Sequence, residues 1–154
     1  MWSGFSNPLG RRAGRSTAAA MMAALLYPGR RVMAVCGDGG FMMNSQELET
    51  AVRLKLNLVV LIIQDDAYGM IRWKQAVDSF TDWGLTFGNP DFVKYADAYG
   101  AKGRSIESAD GLAPALEAAF EEGGVQLVIV PVDYSENSRV LVDELRNRVT
   151  EIAK

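Results

Sequence analysis

Residues 58–63 read LVVLII and stop abruptly at Gln64, Asp65 and Asp66. A run that short and that apolar, with no polar alternation, fits a strand buried on both faces inside a parallel sheet. Residues 125–130 (VQLVIV) and 32–36 (VMAVC) have the same character, and residues 102–106 predict a further short strand. Helical spacing fills the gaps between them. Residues 18–26 are alanine-rich, and residues 45–54 place Leu48, Ala51, Val52 and the stem of Lys55 on one face behind Ser45 as N-cap. Further helices are expected over 69–77, over 91–99 with Pro90 in first position and Asn89 as cap, and over 109–122, stopped by Gly123 and Gly124. Residues 78–89, with Gly84 and Gly88, read as a loop, and Ser135 or Asn137 would cap a last helix ending near Arg148. Strands alternating with helices of this length predict an α/β fold: a doubly wound parallel sheet with helices on both faces.

Composition removes several kinds of chemistry. The chain has 154 residues, enough for one core, and carries no histidine, so histidine-based zinc sites, Ser-His-Asp triads and Cys-His dyads are excluded. Its one cysteine, Cys36, rules out an intrachain disulfide and suits a reducing cytoplasm. A net charge of −3 argues against nucleic acid or an anionic membrane as the main partner. The arginines Arg11, Arg12 and Arg15 ahead of an alanine-rich run look superficially like a targeting peptide. Pro28-Gly29-Arg30-Arg31 and a strand follow instead of a cleavage site, so a helix packed on the sheet is the better reading. No apolar run approaches the roughly 18 residues of a membrane span.

Ligands of open parallel sheets bind beyond the carboxyl ends of the strands. Two of those ends are acidic here: Gly37-Asp38-Gly39-Gly40 follows one strand and Gln64-Asp65-Asp66-Ala67 another. If the strands are neighbours, Asp38 and Asp65 converge. Mg²⁺ asks for such hard oxygen ligands together with phosphate oxygens and water. The glycines let backbone come close to a phosphate, and helix N-termini near Ser45 and Gly69 favour an anion. Taken singly, an Asp-Gly pair after a strand is usually a turn and an Asp-Asp pair a solvated loop. Their combination carries the signal.

That combination, GDGGFMMNSQELETAVRLKLNLVVLIIQDDAYGMIRWKQ, resembles the thiamine diphosphate (ThDP)-dependent enzymes, and among them acetolactate synthase. The later FGNPDFVKYADAYGAKG and PVDYSEN resemble the same group, so that the likeness spans about residues 17–140. It implies the ThDP-binding fold, with Mg²⁺ held by the carboxylates of Asp38 and Asp65 and the backbone oxygen of Ala67. Gly37, Gly39, Gly40, Tyr68, Gly69 and Met70 would complete the cofactor site. Met43 and Trp73 would face the substrate, although a gap-filling role for Met43 and Met70, and an interface role for Trp73, stand beside that reading. A buried inert thiol is the reading for Cys36.

The resemblance further implies decarboxylation of pyruvate and transfer of the two-carbon unit to a second oxoacid, in branched-chain amino acid or acetoin biosynthesis. Other ThDP-dependent decarboxylases or carboligases, and a non-catalytic ThDP-binding remnant, remain alternatives. No catalytic residue is identified in the chain itself. The glutamate that activates the cofactor is expected on a separate pyrimidine-binding domain, supplied within a homo-oligomer or by a partner.

Two departures accompany the likeness. Relatives pair two asparagines where Gln64 and Asp65 stand, and they carry a Thr-Met-Gly…Leu-Pro stretch where this chain reads NPLGRRAGRS. Residues 1–16 are therefore expected to be non-native or disordered. Residues 17–154 are expected to form the ThDP/Mg²⁺-binding domain, a fragment of a larger three-domain enzyme.

Overall fold

The computed structural model describes residues 14–136. Four strands form one wholly parallel sheet: β1 (Met33–Gly37), β2 (Leu58–Gln64), β3 (Lys102–Ser105) and β4 (Val125–Pro131), in the order β1-β2-β4-β3. The helices are α1 (Ser16–Leu26), α2 (Asp38–Met42), α3 (Glu47–Arg53), α4 (Gly69–Val77), α5 (Phe92–Ala98) and α6 (Leu112–Glu122). The predicted α/β architecture is what the chain adopts.

Strand order explains the helix layers. The chain steps from β1 to β2, passes beyond β4 to lay β3 at the edge, and then returns to insert β4. Right-handed crossovers place connections of opposite direction on opposite faces. One face is accordingly packed by Ala20 and Met21 of α1, Leu48 and Ala51 of α3, and Phe92 and Ala96 of α5, against Val60, Ile62, Leu127 and Ile129. On the other face Ala119 of α6 meets Val59, Leu61 and Val128. Successive β2 residues alternate between these two cores, which is why the sequence shows no polar alternation there.

Several local expectations are corrected. Residues 38–42 form the helix α2 rather than an open glycine turn. Ser45 does not cap α3; it is buried, and its Oγ accepts from the Tyr95 hydroxyl at 2.9 Å. Asn89 does not cap α5 either: Asp91 does, its carboxylate accepting from the amides of Val93 and Lys94. Lys55 is exposed beyond the end of α3, with φ 52°. The expected last helix, from Ser135 or Asn137 to Arg148, lies almost wholly outside the described residues.

The α5–β3 contact is close enough to depend on a missing side chain. A Cβ at Gly103 would stand 2.7 Å from Val93 Cα and 3.1 Å from its carbonyl oxygen, and backbone cannot turn aside as a side chain can. Gly103→Ala is expected to cost about 1–3 kcal/mol of stability through this overpacking. Urea unfolding would register it as a lower midpoint at unchanged slope; an unmoved midpoint would show that the contact is slack.

Candidate functional site

The site grows from strand register. β1 pairs β2 with Gly37 opposite Ile63, and β2 pairs β4 with Gln64 opposite Pro131, so the carboxyl ends of three strands finish level. Asp38, Asp65 and the segment after Pro131 are thus delivered to one edge of the sheet.

Asp38 is buried to 1% exposure and opens α2, where a carboxylate is favoured by the helix dipole. Its Oδ1 accepts from Gly39 N at 2.7 Å. Its Oδ2 accepts from Asp65 N at 3.2 Å, Asp66 N at 2.8 Å and Asn89 Nδ2 at 2.6 Å. The two aspartates picked out in the sequence therefore meet across neighbouring strand tips. The Asp65 carboxyl is pushed above the usual carboxylate range, first by its own burial and then by the charge of Asp38. Two anions held together in this way make a place that favours a cation.

Asp66 takes a left-handed backbone, φ 54°, which aspartate tolerates better than most residues. Ala67 pairs with Thr86 in an isolated antiparallel bridge whose hydrogen bonds run from Tyr68 N to Leu85 O and from Phe87 N to Asp66 O. The bridge uses atoms of the flanking residues, so the N–H and C=O of Ala67 point away from Thr86. The Ala67 amide bonds the Asp65 carboxylate, which lowers that group's pKa against the larger upward causes.

Two glycines are set by close approach. A Cβ on Gly69 would fall 2.6 Å from Asp65 Oδ2, so only glycine lets that carboxylate lie against the start of α4. A Cβ on Gly39 would fall 2.9 Å from the Tyr68 ring, which packs on Phe87 with centroids 4.8 Å apart. Gly37 ends β1, and Gly40 lies in the first turn of α2. Met43 and Met70 are each 52% exposed, so neither fills the core of the described chain. Trp73 is half-buried on α4, and its indole N–H is buried without an acceptor among the described residues. Sequence reasoning missed Asn89, whose neighbour Pro90 made it look like a cap, and Tyr134, which stands beside Gly69 and whose phenol is pushed up by burial and by the charges of Asp65 and Asp38. Among the described residues no group of three or more Cys, Asp or Glu side chains is arranged as a metal cage, and no helix is long and apolar enough to cross a membrane.

Residues 5–130 match the family model described as "Thiamine pyrophosphate enzyme, C-terminal TPP binding domain". The chain belongs to this family. It is 41% identical over 135 residues to acetolactate synthase of Bacillus subtilis, covering 88% of this chain and 24% of that protein. Against the catabolic acetolactate synthase of Raoultella terrigena it is 44% identical over 118 residues, covering 77% and 21%. The thiamine pyrophosphate (equivalently, diphosphate) domain thus spans about a quarter of the length of the curated relatives it matches. The crystal structure of benzoylformate decarboxylase from Polynucleobacter necessarius superposes with a TM-score of 0.73 at 28% identity, over 78% of this chain and 24% of that one.

Cys36, beside this site on β1, is held neutral. Burial pushes its thiol up to about 12, with the Asp38 charge adding to the rise and a bond with Thr17 opposing it. A raised folded pKa means that the folded chain prefers the protonated thiol. This contribution to stability is whole below the ordinary value of 9.0 and is lost as pH rises towards about 12. Native Cys36 should resist alkylation at about pH 8 and react fully once the chain is unfolded in urea. Rapid modification of the native chain would contradict the burial.

Proposed function

We propose that this domain holds Mg²⁺ and the diphosphate of ThDP, and that it serves an acetolactate-synthase-type enzyme. That enzyme would decarboxylate pyruvate and transfer the two-carbon unit to a second oxoacid. The meeting of Asp38 and Asp65 at adjacent strand tips carries the reading. Their carboxylates and the carbonyl of Ala67, which points away from Thr86, are hard oxygen donors of the kind a small divalent cation would take together with diphosphate oxygens and water. Gly37, Gly39, Gly40, Tyr68, Gly69 and Met70 are proposed to surround the cofactor. Half-exposed Met43 and half-buried Trp73 are proposed to face the substrate.

When bound, ThDP supplies a nucleophilic carbon and an electron sink for 2-oxoacid decarboxylation. The chain's own residues anchor and orient: the acidic pair fixes the cation, and the start of α4 accommodates negative charge. The activating glutamate is proposed to come from another domain, which makes a homo-oligomer or a pyrimidine-domain partner part of the reading. Met22, Leu25, Leu26 and Tyr27 of the α1 segment, all about half exposed or more, suit such an association. A cytoplasmic setting accords with the free, buried Cys36. The likeness to a benzoylformate decarboxylase keeps a second reading in play, decarboxylation without transfer to a second oxoacid, although the acetolactate synthases share more identical residues.

Calorimetric titration of the chain with ThDP tests the anchor. Binding should require Mg²⁺ and vanish in Asp38→Ala, with Asp65→Ala nearly as harmful. Equal heats with and without the cation would defeat the metal bridge. Activity separates the remaining readings. Supplemented with a pyrimidine-domain partner, the chain should form acetolactate from pyruvate; release of acetaldehyde alone would favour the decarboxylase reading.

A further inference from the structure

Three aspartates stand at the strand tips, and only two of them meet. Asp38 and Asp65 converge, whereas among the described residues no third acidic side chain joins them to complete a metal cage. Asp66 is the one left over. The residue is exposed, yet its carboxylate is occupied: Oδ1 accepts from Gln64 Nε2 at 2.9 Å and from Asn89 Nδ2 at 2.7 Å. Two donors fill the lone pairs of that oxygen.

The backbone of the same residue is equally committed. Asp66 N donates to Asp38 Oδ2 at 2.8 Å, and the Asp66 carbonyl accepts from Phe87 N at 3.1 Å. Asn89 closes a ring, since the Nδ2 that donates to Asp66 also donates to Asp38 Oδ2, at 2.6 Å. Asp66 therefore reaches the buried Asp38 carboxylate by two routes, directly through its amide and indirectly through Asn89. Its chain neighbours are Asp65 and Ala67, the two other oxygen donors of the proposed cation site. The torsions of Asp66 thus set how the carboxylate on one side lies relative to the carbonyl on the other. They are held at φ 54°, a region that residues other than glycine seldom occupy.

We propose that Asp66 is a positioning residue: by accepting from Gln64 and Asn89, its carboxylate holds the turn in which Asp65 and Ala67 offer their oxygens to a cation. The inference rests on the Mg²⁺–ThDP reading above and adds to it a residue that touches neither metal nor cofactor. Mg²⁺ tolerates little error in ligand placement, because it demands a near-ideal octahedron. Groups that orient metal ligands from behind accordingly weigh on affinity although they never meet the ion. What the position requires is an acceptor oxygen where Asp66 Oδ1 stands, rather than a charge.

The test is the Mg²⁺ concentration that half-saturates ThDP binding by the full chain, read by calorimetry alongside urea unfolding. Asp66→Gly keeps the left-handed backbone without steric cost and removes only the acceptor. It should raise the Mg²⁺ requirement about tenfold, as the loss of groups behind metal ligands does. Asp66→Asn keeps an oxygen in place of Oδ1 and should stay within about twofold, since the charge it loses is exposed to solvent. Asp66→Ser, too short to reach both amides, should follow the glycine variant, and it serves if that one folds poorly. A folded glycine or serine variant with an unchanged Mg²⁺ requirement, whatever its urea midpoint, would overturn the proposal. So would an asparagine variant as impaired as the glycine one, because charge and not hydrogen bonding would then be the cause. If the unaltered chain binds ThDP without Mg²⁺, or ignores Asp38→Ala, the metal-bridge reading itself has failed, and this inference falls with it.

Discussion

A fully buried carboxylate, that of Asp38, fixes the geometry on which the rest of the site depends. An ionised carboxylate without partners inside a protein is prohibitively costly, and the chain meets that cost with four donors drawn from separate places. One comes from the start of α2, two from the turn beyond β2 and one from the loop ahead of α5. Each requires something of the backbone. The Asp65 and Asp66 amides reach Asp38 only because β1 and β2 pair with Gly37 opposite Ile63, and the turn holds its shape through the left-handed Asp66 and the bridge to Thr86. Sheet register, turn conformation and loop path are thus coupled through a single side chain.

The layout of the sheet was readable from apolar runs because both of its faces are covered. Residues 58–63 and 125–130 could be nothing but buried strands once their length and their glycine or acidic boundaries were considered, and α4 falls on the residues its spacing predicts. Other features were hidden for physical reasons. Helix α2 is one turn long and contains two glycines, so neither periodicity nor propensity announces it. Strand order could not be read, since nothing local in KGRS says that it lies outside a strand that follows it in the chain.

The errors at Ser45 and Asn89 share a cause. Short polar side chains just ahead of an apolar-periodic segment satisfy the local rule for a helix cap. In both cases a distant partner wins: Tyr95 claims Ser45, and the Asp38–Asp66 pair claims Asn89. Asp91 then caps α5 from the other side of Pro90, which lets Asn89 turn towards the strand tips. A local rule cannot register a contact 51 residues away in sequence, so the acidic pair was legible and the amide that orients it was not.

The carboxylate of Asp65 sharpens the electrostatics of this arrangement. A neutral amide beside Asp38 would leave one charge on this pair; a second, partly buried carboxylate makes two, and the upward shift of Asp65 records its own burial first and then their repulsion. Gly69 makes that position possible, because the carboxylate occupies the space a Cβ would need. On the proposed reading, a divalent cation converts this repulsion into attraction, and without one the site presents two negative groups to a negative diphosphate. On that reading, the same carboxylate that would strengthen the hold on a cation would make diphosphate binding depend more strictly on it. That reading would have cation and diphosphate enter together, or the cation first.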